Sequence, residues 1–401
     1  MSRQVSDWIS GYLEYAKGSE PPQAYHTWVG LSVLAGALQR KVYLKWGFET
    51  IYPNMYIVLV GPSGRTRKGV AIGIGKEILG DIAGVTMVSE ATTREALIKR
   101  MKDAALTFQD PSNGRMRWHC SITAFSEELS VFLGQNDLKF LSNLTDWYDC
   151  KDKWSYETIG RGLDFVNGVC FNFCGGTAPD WLQSILPQEA IGGGYTSRNI
   201  YICEETKGQT SSKHVLTPSQ EKLKESLIND LSRINTLAGE FKFAPDGERA
   251  YINWYEGYDK ALARGDYPVD DPRFAYYAER RATHIRKLMM VLSASRSDTL
   301  RMTALDFDRA NKLLKAAELK MHRTFGGLGR AKGAIDAQRV LDYVKSLEAV
   351  SRSEILNKFY RDVGSAEFKL IEELMQQMQV VDIQVLRSGD KVYKWRHKKG
   401  K

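Results

Sequence analysis

The chain has 401 residues, with 56 Lys or Arg against 48 Asp or Glu and a net charge of +8. That length suffices for two or three domains, and the modest basic excess permits a polyanionic partner such as nucleic acid without requiring one. The composition (43% hydrophobic, 26% charged) is that of a soluble globular protein, and no apolar run approaches the length of a membrane span.

No charged-then-apolar leader opens the sequence. The five cysteines are odd in number and lack metal-ligand spacing, so reduced, buried thiols in a cytoplasmic protein are expected.

Helical spacing predicts helices over residues 5–16 and 24–38, the second preceded by Pro21-Pro22. With a strand at Val42–Trp46 they form a helical collar over residues 1–50. His26 and Trp28 lie in the second helix as ligand contacts or, more simply, as buried packing.

An unbroken apolar run, Met55 to Val60, reads as a strand buried on both faces. Gly61-Pro62-Ser63-Gly64-Arg65-Thr66-Arg67-Lys68-Gly69 follows, and then a helix opens. Strand, glycine turn, lysine and helix is the layout of a phosphate-binding loop, where backbone N–H groups and a helix N-terminus face the anion. Counted strictly, G-x-x-x-x-G-K-[ST] puts Thr66 on the second glycine, Arg67 on the lysine and Lys68 on the hydroxyl residue. One extra loop residue makes Lys68 the lysine and leaves Gly69 where a magnesium-binding hydroxyl belongs. A tight basic turn is the plainer alternative.

Val85–Val88 is a second strand, followed by a helix over residues 89–102 with Thr92 or Thr93 as N-cap. A polar loop, Asp110–Arg117, precedes the strand Ser121–Phe125, which ends on Ser126-Glu127-Glu128. A carboxylate pair at the end of a parallel strand suits phosphoryl chemistry, with Glu127 activating water and Glu128 contacting the metal. Glutamates enriched at a helix start for dipole reasons are the alternative.

After a helix at Leu138–Tyr148, residues 151–167 read as a hairpin. Lys151, Lys153 and Arg161 with Trp154 and Tyr156 suit phosphate contact and base stacking, or simply a solvated hairpin.

Val169–Phe173 is a further buried strand, with Asn172 and Thr177 placed to sense a γ-phosphate. A glycine-rich loop then delivers Arg198 to the strand Asn199–Cys203, where it suits a finger reaching an adjacent subunit. The core thus covers residues 51–205.

Residues 206–325 read as a helical lid, with helices at 219–238, 247–263, 273–296 and 303–322. Arg280, Arg281 and Arg286 on the third offer a lid arginine to nucleotide. A glycine-rich basic linker, 326–333, precedes three helices and a β-hairpin over 334–401, the order of a winged helix. Lys369, Arg387, Lys391 and Lys394 supply positive charge for DNA there; a protein-binding winged helix is the alternative.

YPNMYIVLVGPSGRTRKG, FSEEL, GGTAPDWL and GGGYTSR together resemble phage and prophage AAA-family P-loop ATPases described as replicative helicases. The order of Glu pair, hairpin, sensor strand, Ser-Arg, helical region and winged helix is similar to the minichromosome-maintenance helicase type. The likeness implies an α/β P-loop NTPase of AAA+/RecA-like kind that uses ATP and Mg²⁺. It makes Glu127 catalytic, Asn172 or Thr177 the sensor and Arg198 the finger in trans. Members of the family commonly carry Lys-Ser in the loop, where this chain has Lys68-Gly69.

The implied function is an ATP-driven DNA helicase of phage or mobile-element replication. It would work in the bacterial cytosol as a ring, a hexamer, with other replication proteins as further partners. A helicase loader or initiator, and a non-catalytic DNA-binding protein with a degenerate loop, are the alternatives.

Overall fold

The computed structural model describes residues 3–88, 90–134, 137–158, 162–187, 190–213, 215–325, 332–359, 363–377, 380–385 and 390–396. The apolar run forms β1 (Tyr56–Val60), in which every residue is buried. Such a strand needs neighbours on both edges and cover on both faces, and it has them. β2 (Thr86–Val88), β3 (Met116–Ser126), β4 (Val169–Thr177) and β5 (Asn199–Cys203) join it in a parallel sheet of order β5-β1-β4-β3-β2. The register aligns Val60 with both Thr177 and Cys203, and Ser126 with Gly175, so these carboxyl ends finish at nearly one level.

Helices cover the sheet. α1 (Trp8–Tyr15) starts at Asp7, whose carboxylate accepts from the Ser10 N–H at 2.9 Å. α2 (Gln23–Leu38) is apolar almost all round and buried along most of its length, as a helix enclosed by other elements must be. α3 (Lys68–Gly80) packs so closely on α2 that a β-carbon at Gly75 would sit 2.3 Å from a Val29 methyl.

The region expected as a separate lid is not separate. The sequence predicts one helix over 219–238; it runs Pro218–Asn235, and Gly239–Phe243 is a strand. That strand pairs in parallel with Val42–Trp46, giving a second sheet of order Arg301–Met302, Gly239–Phe243, Val42–Trp46, Glu49–Ile51. Collar, core and helical region therefore form one compact unit, Met1–Phe325, and residues 326–401 a second.

α4 (Ala275–Arg296) runs through the first unit and carries three buried charges. Arg281 pairs with Glu318 at 2.5 Å, with its guanidinium 5.3 Å from the ring centres of both Trp254 and Tyr258. Arg286 lies over Trp46 at 4.8 Å. Lys287 donates to Tyr52 O, Asn54 O and Asn54 Oδ1 at 2.9, 3.0 and 2.6 Å, and burial draws its pKa down to about 8.

In the second unit the helices Lys332–Leu347, Arg352–Phe359 and Ser365–Gln377 pack with an antiparallel sheet. Its strands are Ala349–Ser351, Lys391–Trp395 and Val381–Val385 in that spatial order, over a core that includes Val344, Ile355, Phe368 and Tyr393. Ser351 and Glu354 form the expected capping box. All five cysteines are free and buried, and among the described residues no helix is long and apolar enough to cross a membrane.

Three buried histidines make the first unit acid-sensitive. Burial pushes the pKa of His26 and His119 down to about 4, and that of His284 to about 3. Below the ordinary value near 6.5 the unfolded chain takes up protons that these rings refuse, so stability falls as pH drops from about 6.5 towards 4. At pH 5 each ring costs the fold on the order of 1–2 kcal/mol. Thermal melts should show a lower midpoint at pH 5 than at pH 7, and a smaller drop in His284→Gln. Equal midpoints at both pH values would refute this.

Candidate functional site

Ligands of parallel sheets bind beyond the carboxyl ends of the strands, and the loop between β1 and α3 crosses that edge. Its start is held from three sides. Gly61 N donates to Thr177 O at 3.1 Å, Glu204 N donates to Val60 O at 3.0 Å, and the Tyr25 hydroxyl donates to the same Val60 carbonyl at 2.8 Å. Pro62 to Arg65 are exposed, and Gly64 turns the chain at φ +70°. Arg67, immediately before α3, adopts the left-handed conformation at φ 55°, ψ 36°. A residue with a β-carbon holds that conformation at a cost of about 1–2 kcal/mol, so the loop imposes it.

From Ser63 to Gly69, seven consecutive backbone N–H groups donate to no acceptor among the described residues. The Lys68 ammonium folds back over this run and donates to Gly61 O at 2.7 Å. Burial lowers its pKa and the nearby Glu128 carboxylate opposes that shift. Arg67 turns the other way, with Nε 2.8 Å from Glu20 Oε2. Lys207 at 2.6 Å and Arg67 together draw the Glu20 carboxyl down to about 2. Of the two basic side chains, Lys68 faces the loop and Arg67 is held outside it. Arg65 is exposed and has no ion partner among the described residues.

Glu127 and Glu128 follow β3 directly and are both exposed. A β-carbon on Gly69 would meet Glu127 Oε2 at 2.5 Å, so the carboxylate lies against the first turn of α3 where a side chain at 69 would begin. Ser126, in the acidic position of the second motif, is buried and donates to Glu128 O at 2.9 Å. Because β4 lies between β1 and β3, Thr177 ends its strand between the loop and the Glu pair. Two carboxylates beside this loop fit magnesium, which takes one or two carboxylates and completes its shell with other oxygen ligands and water. Gly69 offers it no hydroxyl. Among the described residues no group of three or more His, Cys, Asp or Glu is assembled to hold a metal without such a ligand.

Other expected residues are placed elsewhere. Asn172 is not at the strand end: it lies in mid-β4, opposite Thr123. Its amide donates to Ser32 O at 3.0 Å and accepts from Met55 N at 3.0 Å, so it ties the start of β1 to α2 and has no contact with the loop. Arg198 precedes β5 at the amino end of the sheet, opposite the loop. It is buried, with Nη2 2.6 Å from Asp149 Oδ2 and Nη1 donating to Gly194 O at 2.8 Å. Arg280 is 3.7 Å from the same carboxylate. The lid arginines therefore lie away from the loop, and Arg281 and Arg286 are packed internally.

The two hairpin aromatics are also engaged within the fold, Trp154 buried and Tyr156 half-buried. Trp154 stacks on Tyr156, whose hydroxyl accepts from Arg94 at 3.0 Å. Lys151 pairs with Asp146 at 2.8 Å, Lys153 is exposed, and Arg161 lies outside the described residues. In the second unit Lys391 is bound to Glu372, Lys369 and Lys394 are exposed, and Arg387 lies outside the described residues.

Sequence reasoning missed Tyr25, Glu20 and Asp149. Tyr25 and Glu20 sit in the collar, far from the loop in sequence, and no motif marks them.

The loop glycines differ in what they tolerate. A β-carbon at Gly61 would meet Glu204 O at 2.5 Å and Tyr25 Oη at 2.6 Å, both fixed; at Gly64 it meets open space but a positive φ; at Gly69 it meets only the mobile tip of Glu127. Gly61→Ala should destabilise by about 1–3 kcal/mol or more and Gly64→Ala by about 1 kcal/mol. Gly69→Ala should be neutral or slightly stabilising, since alanine favours a helix. Denaturant titrations of the three variants read the order directly, and equal losses would contradict it.

Comparison with known proteins finds no protein-family model that matches the chain and no relative among characterised proteins.

Proposed function

We propose that this chain binds and hydrolyses ATP through a P-loop of AAA+/RecA-like type and uses the energy to move on DNA as a ring-forming helicase. The run of unbonded N–H groups from Ser63 to Gly69 beneath the Lys68 ammonium carries this reading. A triphosphate supplies the acceptors that the run lacks, and Lys68 turns from Gly61 O to the outer phosphates. Glu128 would hold a magnesium ion here, which would supply charge neutralisation to the phosphates.

Glu127 is the general base: its carboxylate takes a proton from water as the water oxygen bonds to the γ-phosphorus and the β–γ bridge breaks. Thr177 stands beside the departing phosphoryl group. Arg198 lies a full strand length from its own loop, five residues or roughly 16 Å, so it serves a neighbouring subunit's phosphates. Asp149 holds it until then. The three-helix, three-stranded second unit is read as a winged helix, with Lys369 and Lys394 facing DNA phosphates.

Two observations favour a second reading. Gly69 provides no hydroxyl and Arg198 is paired internally, which suits slow turnover in a loader or initiator that switches on ATP.

Lys68→Ala should abolish ATP binding measured with a fluorescent analogue, whereas Arg67→Ala should retain it. The reverse result would move the loop register by one residue. Glu127→Gln should bind ATP and lose about 10²–10⁴-fold in turnover.

Arg198→Ala should leave binding intact and remove most hydrolysis. Mixing it with Lys68→Ala should restore activity, since one mixed interface pairs an intact loop with an intact arginine. No recovery in confirmed mixed assemblies would refute a shared site. Strand displacement on a forked duplex distinguishes helicase from loader.

A further inference from the structure

A second surface lies at the end of the sheet opposite the loop. There the amino-terminal part of β3 pairs with the antiparallel strand Ala105–Gln109, and a hairpin of Lys153–Thr158 with Gly162–Asn167 leads into β4. A groove of about 600 Å³ opens where the two hairpins meet, lined by Arg40, Arg115, Arg117, Trp118, Lys153 and Asp152 among others. Four cations face one carboxylate.

Two of the cations are rigidly held. Arg117 lies over the Tyr43 ring at 4.3 Å with Nε 2.8 Å from the buried Asp110. Arg40 lies over the Tyr52 ring at 4.2 Å and donates to Asp152 and to Cys150 O. Arg40 is 5% exposed, yet its Nε has no hydrogen-bond partner. The other two, Arg115 and Lys153, are exposed and have no ion partner among the described residues.

On the rim Trp118 is 57% exposed and Met116, two residues away on the same face of β3, is 62% exposed. An open indole that shares a groove with exposed cations is a combination that suits an unstacked base and its neighbouring phosphates. A duplex keeps its base faces covered, whereas a single strand offers a base face and phosphates together.

We infer that this groove binds single-stranded nucleic acid, with Trp118 stacking on a base while Arg115 and Lys153 meet the flanking phosphates. The site is distinct from the hairpin aromatics, which are engaged within the fold, and from the second unit. It does not depend on the nucleotide reading.

The test is fluorescence anisotropy of labelled oligo(dT) with the full-length protein across a salt series, beside a blunt duplex. Trp118→Ala should weaken oligo(dT) binding about 10-fold at an unchanged salt slope and leave duplex binding as it was, while Trp118→Phe retains most of the affinity. Arg115→Ala and Lys153→Ala should each lower the slope by about 0.7, one single-strand phosphate contact. All three side chains are exposed, so melting temperatures should not change.

If the wild type binds oligo(dT) and these variants bind it equally well, the groove is overturned while DNA binding elsewhere stands. If the wild type fails to bind oligo(dT), the groove is overturned, and the duplex arm alone decides DNA binding by the second unit. Failure of ATP binding alone touches only the nucleotide site.

Discussion

A buried ammonium fixes the chain where β1 begins. Lys287 reaches from α4 to the carbonyls of Tyr52 and Asn54 and to the Asn54 side chain. Asn54 in turn donates to Tyr148 O and Phe171 O, and Asn172 accepts from Met55 N. A charge held inside a protein is tolerated only when every donor finds an acceptor, and here all three do. Removing the lysine would leave buried carbonyls unpaired at about 1–3 kcal/mol each. Because β1 is only five residues long, whatever fixes its start also fixes the loop at its end. The loop that follows β1 is thus positioned from the far side of the sheet.

The two ends of the sheet carry different chemistry. At the carboxyl end the backbone dominates: unbonded amides, one ammonium and two flexible glutamates. At the amino end side chains dominate, with Arg198 and Arg280 around Asp149 and, further along, the arginines stacked on Tyr43 and Tyr52. Parallel strands make this separation natural, because all turns of one kind leave by the same edge. The ion pair of Arg198 with a partly exposed carboxylate is a contact that a more strongly charged ligand can displace; the Arg281–Glu318 pair, buried on both sides, is not.

Much of the core was legible in the sequence. A β-branched apolar run, a glycine turn and a helix start have one reading as a buried parallel strand with its following helix, and the strands ending at Ser126, Thr177 and Cys203 announce themselves by the same pattern. What stayed hidden lay in long-range pairing. Gly239–Phe243 alternates over only five residues and becomes a strand because Val42–Trp46 offers it an edge. Asn172 reads as a sensor on a neighbouring strand end, but it lies mid-strand, where Ser32 and Met55, distant in sequence, satisfy it. Trp154 and Tyr156 share a face of their hairpin, and only the packing of Trp147 and Arg94 against that face engages it within the fold. The exposed Trp118 was missed because Asp110–Arg117 reads as a loop running up to a shorter strand.

The close approach of Glu127 to the place where a side chain at position 69 would begin also makes the two positions interdependent. A serine at 69 would have to share that space with the carboxylate tip, and shortening the acid at 127 would vacate it. What a hydroxyl at 69 does is therefore set by the length of the acid at 127, and the effects of substituting both positions should not simply add.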